Sequence, residues 1–203
     1  MILDAARMKP NFHDPSRLSL ANVRYVFLDR DGVINRKPPE GEYISDWSRF
    51  QLRPGVEMAI AKLNRSNRRV VVVTNQRGIA LGLYTDAHLE ALHVRLQRHL
   101  AEHGAHIDAF YYCPHDNNQC DCRKPKPGLF QQAFRDFPDA SPSNSLLIGD
   151  SISDIECARN LGIPSIFIVG SVETRKSGSA QAAALADVVS SSLQDAIDEY
   201  LAY

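Results

Sequence analysis

Val26-Phe27-Leu28-Asp29-Arg30-Asp31-Gly32-Val33-Ile34-Asn35 is the stretch that decides the fold. An apolar run ends in two carboxylates, and a glycine follows at once. A run that is apolar at consecutive positions belongs to a strand covered on both faces, as in a parallel sheet with helices on each side. The pattern returns twice. Arg69–Val73 runs into Thr74-Asn75, and Ser145–Ile148 runs into Gly149-Asp150. In open sheets of this kind ligands bind beyond the carboxyl ends of the strands, near the switch in strand order. Three strands therefore bring polar side chains to one rim.

Helical patterns lie between the strands. Pro54–Asn67 carries apolar residues at helical spacing, and Thr85–His103 is a long amphipathic helix with Thr85 as its cap. Pro127–Phe137, Ser153–Asn160 (closed by Gly162) and Ser192–Leu201 follow, with Ile107–Tyr112, Ser165–Val169 and a short Ala186–Val189 as further strands. The alternation predicts an α/β fold with a mostly parallel sheet. Residues 1–22 read as a polar N-terminal arm and 23–203 as one domain, with a Ser/Gly-rich, mobile loop at Gly170–Ala180.

The 203 residues are 44% hydrophobic and 23% charged, with a net charge of -1. That excludes a disordered chain and leaves no basic footprint for nucleic acid or an anionic membrane. No apolar run is long enough to span a bilayer. The N-terminus lacks the basic start and apolar block of a secretory signal. The expected setting is the cytoplasm, as a monomer acting on a small molecule.

Where a strand runs out, positions i and i+2 point the same way, so Asp29 and Asp31 can face one pocket, with Gly32 permitting the turn. Asp150 arrives from another strand end, followed by Asp154. A single Asp at a strand end commonly caps a turn; Asp-x-Asp together with Gly-Asp-x-x-x-Asp points to chemistry. Carboxylates converging without cation neighbours repel, and a hard divalent ion such as Mg²⁺ resolves that. Three of the four cysteines fall within ten residues. Cys113, Cys120 and Cys122 with His115 form a Cys₃His set suited to tetrahedral Zn²⁺, closed to water and hence structural. Cys157 reads as a small core residue.

DRDGVIN, VTNQ, the lysine of CRKPKPG, and GDSISD resemble the four successive motifs of the haloacid dehalogenase superfamily of phosphatases, over roughly Val23 to Val169. The resemblance implies a Rossmann-like, doubly wound fold with Asp29 as nucleophile and Asp31 as general acid and base. It gives Mg²⁺ to the Asp29 carboxylate, the Asp31 backbone carbonyl and Asp150. Thr74 and Lys124 would hold the transferring phosphoryl oxygens, with Asp154 orienting Lys124 or a metal-bound water. Broad-range members carry a separate cap domain. Here the intervals Asp31–Thr74 and Thr74–Lys124 are filled by core elements, so no cap fits. Selection would fall to the loops Arg36–Trp47, Gly78–Tyr84 and the zinc loop.

The zinc loop, with DRDGVIN and TNQRGIALG, narrows the resemblance to the D-glycero-D-manno-heptose 1,7-bisphosphate phosphatases and the related histidinol-phosphate phosphatases. It implies removal of the 7-phosphate from a sugar bisphosphate. Arg123 would recognise the substrate beyond the reacting phosphate, and Asn75, Gln76, Arg77 and Tyr43 would line the pocket. The chain departs from the heptose pattern at Arg77, Leu81 and Ser151 and in the short His115–Cys120 loop, which bears on substrate identity. Arg77 is either a ligand for the second phosphate or a solvated loop residue. The alternatives are histidinol phosphate as substrate, a nucleic-acid end phosphatase (disfavoured by the charge), and a non-catalytic, zinc-organised interaction module.

His99-Leu100-Ala101-Glu102-His103 matches the H-x-x-E-H pattern of inverted zinc proteases, but the sequence offers no third ligand nearby. His88 and His93 read as helix-surface residues. Gly78–Gly82 is no dinucleotide fingerprint.

Overall fold

A computed structural model describes residues 20, 22–39, 41–170 and 177–201. Most of the expected arm at 1–22 and positions 171–176 of the Ser/Gly-rich loop lie outside the described residues. Six parallel strands, β1 (Tyr25–Leu28), β2 (Arg69–Asn75), β3 (Ala109–Cys113), β4 (Ser145–Gly149), β5 (Ser165–Ile168) and β6 (Val188–Ser190), form one sheet in the order β3-β2-β1-β4-β5-β6. This is the Rossmann order, and the sense of winding reverses between β1 and β4. In register, Leu28 faces Val72 on one side and Ile148 on the other. Asp29 and Asp150, one and two residues further on, therefore emerge side by side at the switch point.

The strands are buried on both faces, as their composition requires. Val26, Leu28, Val70, Val72, Leu146 and Ile148 face one core. It is completed by α1 (Val56–Arg65), α2 (Asp86–Glu102) and α6 (Leu193–Tyr200). Tyr25, Phe27, Val71, Val73 and Leu147 face the other, against α3 (Gly128–Asp136) and α4 (Ile152–Leu161). Cys157 is fully buried in that second core. Thr85 caps α2 by accepting from the His88 N–H, while His88 Nδ1 accepts from the Thr85 N–H. Gly162 closes α4 in the left-handed conformation.

Two expectations are corrected. His93 is not a surface residue. It is buried and stacked on Phe110, with ring centroids 4.3 Å apart. Burial pushes its pKa down to about 3, so it is neutral. The end of the expected loop at Gly170–Ala180 is helical: α5 (Ser179–Leu185) begins within it and packs Ala182 against Ile155 and Phe167. Its alanines favour a helix, although the polar sequence before them reads as loop.

Candidate active site

β1 is buried along its length, and the residues that follow it open onto the carboxyl edge of the sheet. Gly32 makes this possible, with φ at +101°; a Cβ there would stand 2.0 Å from Asp150 Oδ2. Only glycine allows both the turn and the close approach. The result is a cavity of about 480 Å³ lined by Asp29, Asp31, Tyr43, Thr74, Asn75, Gln76, Arg77, Arg123, Lys124 and Asp150. Every residue expected for catalysis, substrate or Mg²⁺ thus borders one space, with Lys37 and Asp154 in addition.

The carboxylates do have cation neighbours, contrary to expectation. Lys124 Nζ lies 2.9 Å from Asp29 Oδ1 and 2.6 Å from Asp154 Oδ1, and donates to the Val73 carbonyl at 2.7 Å. Arg30, wholly buried, places Nη2 at 2.9 Å from both oxygens of Asp31. Lys37 pairs with Asp150. The Lys124 and Lys37 pairs meet only through tertiary approach, whereas Arg30 and Asp31 are neighbours in the chain. Lys37 had no motif to mark it, and Arg30 reads locally as the residue between two aspartates.

The pairing divides the carboxylates. Burial pushes Asp29 above the ordinary carboxylate range, with Lys124 opposing and Asp154 and Asp31 reinforcing. Burial pushes Asp150 up to about 7 against the pull of Lys37. Burial also acts on Asp31, but Arg30 and the Asn35 and Gln76 amides outweigh it and hold Asp31 low. Asp154 is held low in the same way, chiefly by Lys124. Its second oxygen caps α4, accepting from the Ser151 N–H at 3.1 Å.

Asn75 and Gln76 serve the machinery more than the cavity. Asn75 brackets the Lys124 backbone, donating to its carbonyl at 3.1 Å and accepting from its N–H at 3.0 Å. Gln76 is buried and fully engaged. Its Nε2 donates to Asp31 Oδ2 at 3.0 Å and Thr74 Oγ1 at 2.9 Å, and Oε1 accepts from Tyr84 at 2.6 Å. Arg77 pairs with Asp116 at the rim. Of the expected selecting loops, 36–47 supplies Lys37, Pro38, Pro39, Gly41, Glu42, Tyr43 and Ile44. Gly78–Tyr84 does not line the cavity and acts through the Tyr84 hydroxyl on Gln76.

Two donor sets fit metals. Carboxylate oxygens of Asp29, Asp150 and Asp154 lie within 4.8 Å of one another, and buried Asp150 Oδ1 has no hydrogen-bond partner. Hard oxygen donors with one open valence suit Mg²⁺. In the second set, Cys113 Sγ is 3.5 Å from Cys120 Sγ and 3.8 Å from His115 Nδ1. Cys122 Sγ is 3.3 Å from both Cys120 Sγ and His115 Nδ1. A tetrahedral ion with Zn–S bonds near ~2.3 Å needs ligands spaced about this far apart. Cys120 is held at about 7; burial opposes this, and bonds from Cys122 and the Arg123 N–H outweigh it. Burial and the neighbouring thiols push Cys122 up, and burial does the same to Cys113. Three thiolates here require a cation.

A HAD-hydrolase-like family model matches residues 121–196. The chain is 41% identical over 169 residues to the D-glycero-alpha-D-manno-heptose-1,7-bisphosphate 7-phosphatase of Mycobacterium bovis, covering 83% of this chain and 86% of that relative. It is 39% identical over 184 residues to the D-glycero-beta-D-manno-heptose-1,7-bisphosphate 7-phosphatase of Vibrio cholerae, covering 87% and 95%. The crystal structure of the D,D-heptose 1.7-bisphosphate phosphatase of B. bronchiseptica, complexed with magnesium and phosphate, matches with a TM-score of 0.77 at 30% identity. It covers 88% of this chain and 98% of that one. Fold, site and relatives together define a phosphatase of the HAD-like class. Within that class, the chain belongs to the heptose-1,7-bisphosphate 7-phosphatase family.

Proposed function

We propose that this chain removes the 7-phosphate of D-glycero-D-manno-heptose 1,7-bisphosphate through an aspartyl-phosphate intermediate. The observation that carries the reading is the convergence of Asp29, Asp31, Thr74, Lys124 and Asp150 on one cavity. Asp29 attacks phosphorus, the bond to the sugar oxygen breaks, and Asp31 gives its proton to the departing alkoxide. Arg30 holds Asp31 ionised in the free protein. A phosphate dianion placed beside it opposes that and favours the protonated acid. Asp31 then takes a proton from the attacking water, and inorganic phosphate leaves with Asp29 restored.

Lys124 and Thr74 face the phosphoryl oxygens, where charge accumulates. Asp154 and Asn75 fix Lys124, and Gln76 fixes Thr74 and Asp31. Asp29, Asp150 and the Asp31 carbonyl would hold Mg²⁺, which would supply positive charge against the negative charge of the phosphoryl group. Arg123 and Tyr43 take the rest of the substrate, and Arg77 reaches the second phosphate by leaving Asp116. Cys113, His115, Cys120 and Cys122 would hold Zn²⁺, which would fix the loop leading into Arg123 and Lys124. The protein works as a cytoplasmic monomer with one domain over 23–203. Among the described residues no helix is long and apolar enough to cross a membrane. A histidinol substrate would need a free carboxylate for its ammonium. Glu42, which lines the cavity, is taken up by Arg49.

Phosphate release from both heptose bisphosphate anomers and from histidinol phosphate tests the reading. Asp29→Asn is expected to lower kcat roughly a thousandfold or more, about 4 kcal/mol of barrier. Undiminished turnover in that variant overturns the nucleophile assignment. A higher kcat/KM on histidinol phosphate overturns the substrate.

A further inference from the structure

The H-x-x-E-H stretch on α2 has the third partner that the sequence did not show. Glu57, in the first turn of α1, places Oε1 at 3.1 Å from His99 Nε2. His103, four residues on, closes α2, its ring centroid 4.7 Å from that of His99. One donor atom from each of Glu57, His99 and His103 lies within 4.8 Å of the others. We propose that these three residues form a second transition-metal site, separate from both donor sets described above, for a borderline divalent ion such as Zn²⁺ or Ni²⁺.

The chemistry of each donor supports the assignment. His103 Nδ1 lies 2.9 Å from the His99 carbonyl oxygen, which can only accept. The proton is therefore on Nδ1, and Nε2 keeps its lone pair for a ligand bond. A backbone carbonyl holding the other ring nitrogen is the usual support of a metal-bound imidazole. His99 Nε2 and Glu57 Oε1 already stand within hydrogen-bond distance of each other, and a metal ion would bridge the two. Bonds of about 2.0–2.2 Å set tetrahedral N and O ligands roughly 3.3 Å apart, close to the spacing of this pair. Side chains of His99 and Glu57 are 29% and 22% exposed, so an ion can enter from solvent. Two imidazoles and one carboxylate select zinc-like ions over Mg²⁺. Three ligands leave a coordination position open to water. The bound ion would tie α1 to α2.

The chain reports on this site directly. Its single tryptophan, Trp47, has its ring centroid 5.8 Å from that of His99. Ni²⁺ is paramagnetic and quenches indole emission at short range. The test titrates Ni²⁺ into the full-length protein, with its cysteine cluster first saturated with Zn²⁺, and follows Trp47 fluorescence. The expected result is saturable quenching, reversed by Zn²⁺ and not by a large excess of Mg²⁺. His103→Ala changes an exposed residue outside the catalytic machinery, and should weaken the apparent affinity at least tenfold. Glu57→Gln keeps the shape and a hydrogen bond to His99, and should weaken it as well. Non-saturable quenching, equal quenching in both variants, or displacement by Mg²⁺ as readily as by Zn²⁺ overturns the proposal.

Discussion

At the strand ends Asp29, Asp31 and Asp150, with Asp154 from the first turn of α4, meet cations of the chain itself, Arg30, Lys37 and Lys124. In the loop after β3, the side chains of Cys113, His115, Cys120 and Cys122 bond to one another. The first cluster has offset most of its charge before any metal arrives. The second limits its charge by keeping protons on Cys113 and Cys122, whose thiols burial pushes up, and can carry three thiolates only around a metal. Donors of similar geometry therefore call for metals of different standing. In one place an ion would act on the substrate's charge; in the other it would hold the loop together.

Removing each metal separately gives the largest effect and the sharpest break. Stripping Mg²⁺ should abolish turnover and leave Tm nearly unchanged. Stripping Zn²⁺ under reducing conditions should lower Tm by several degrees, at about 2–4 °C per kcal/mol for a chain of this size. It should also expose three thiols to a thiol reagent. A Tm equally sensitive to both ions would erase the distinction.

Gly32→Ala probes the crowding of the oxygen cluster. The positive φ alone costs about 1–3 kcal/mol, and the new Cβ would drive Asp150 aside. Turnover should fall tenfold or more, with a higher Mg²⁺ requirement. An alanine variant with wild-type Mg²⁺ dependence would show that Asp150 has room.

The pH dependence of Mg²⁺ affinity comes next. Asp150 stands at about 7 without metal, raised by burial. Below that a proton competes with the ion, so affinity should rise about tenfold per pH unit on approach to 7 and then level. The stability effect has the opposite sign. The folded, metal-free state holds the extra proton, so it loses stability as pH rises from the ordinary carboxylate range through 7. Calorimetric titration of Mg²⁺ on both sides of 7 checks the first point, and a flat affinity would refute it.

Tyr84→Phe is the mildest change. It leaves buried Gln76 Oε1 without its donor, at a cost of about 1–3 kcal/mol in stability. Turnover should drop only a few fold, since Asp31 keeps Arg30 and Asn35. A loss as large as that of Asp29→Asn would make Tyr84 part of the chemistry.

What the sequence made legible follows from local physics. Apolar strands ending in Asp29, Thr74 and Asp150 announce a parallel sheet and its binding edge, because a doubly covered strand has no other place for polar side chains. The cysteine cluster is legible because its donors lie close together in the chain. What escaped depends on approach between distant elements. Lys37 reaches Asp150 from a loop, Glu57 meets His99 across two helices, and His93 turns inward onto Phe110. Helical spacing gives the face of a histidine, but not what lies opposite it.

The four residues of β1 have no face toward water, and the strand is bonded on both edges. Asp29 is therefore aimed from an interior framework, while most of the cavity wall outside the catalytic cluster comes from residues 37–44. The two parts touch at Lys37, which pairs with Asp150, and at the Ile44 carbonyl, which accepts from Arg30. Substrate range can be rewritten in the rest of that loop, by selection or by design, without re-aiming the Asp29 carboxylate. Any repacking of β1 would instead disturb the reaction for every substrate alike.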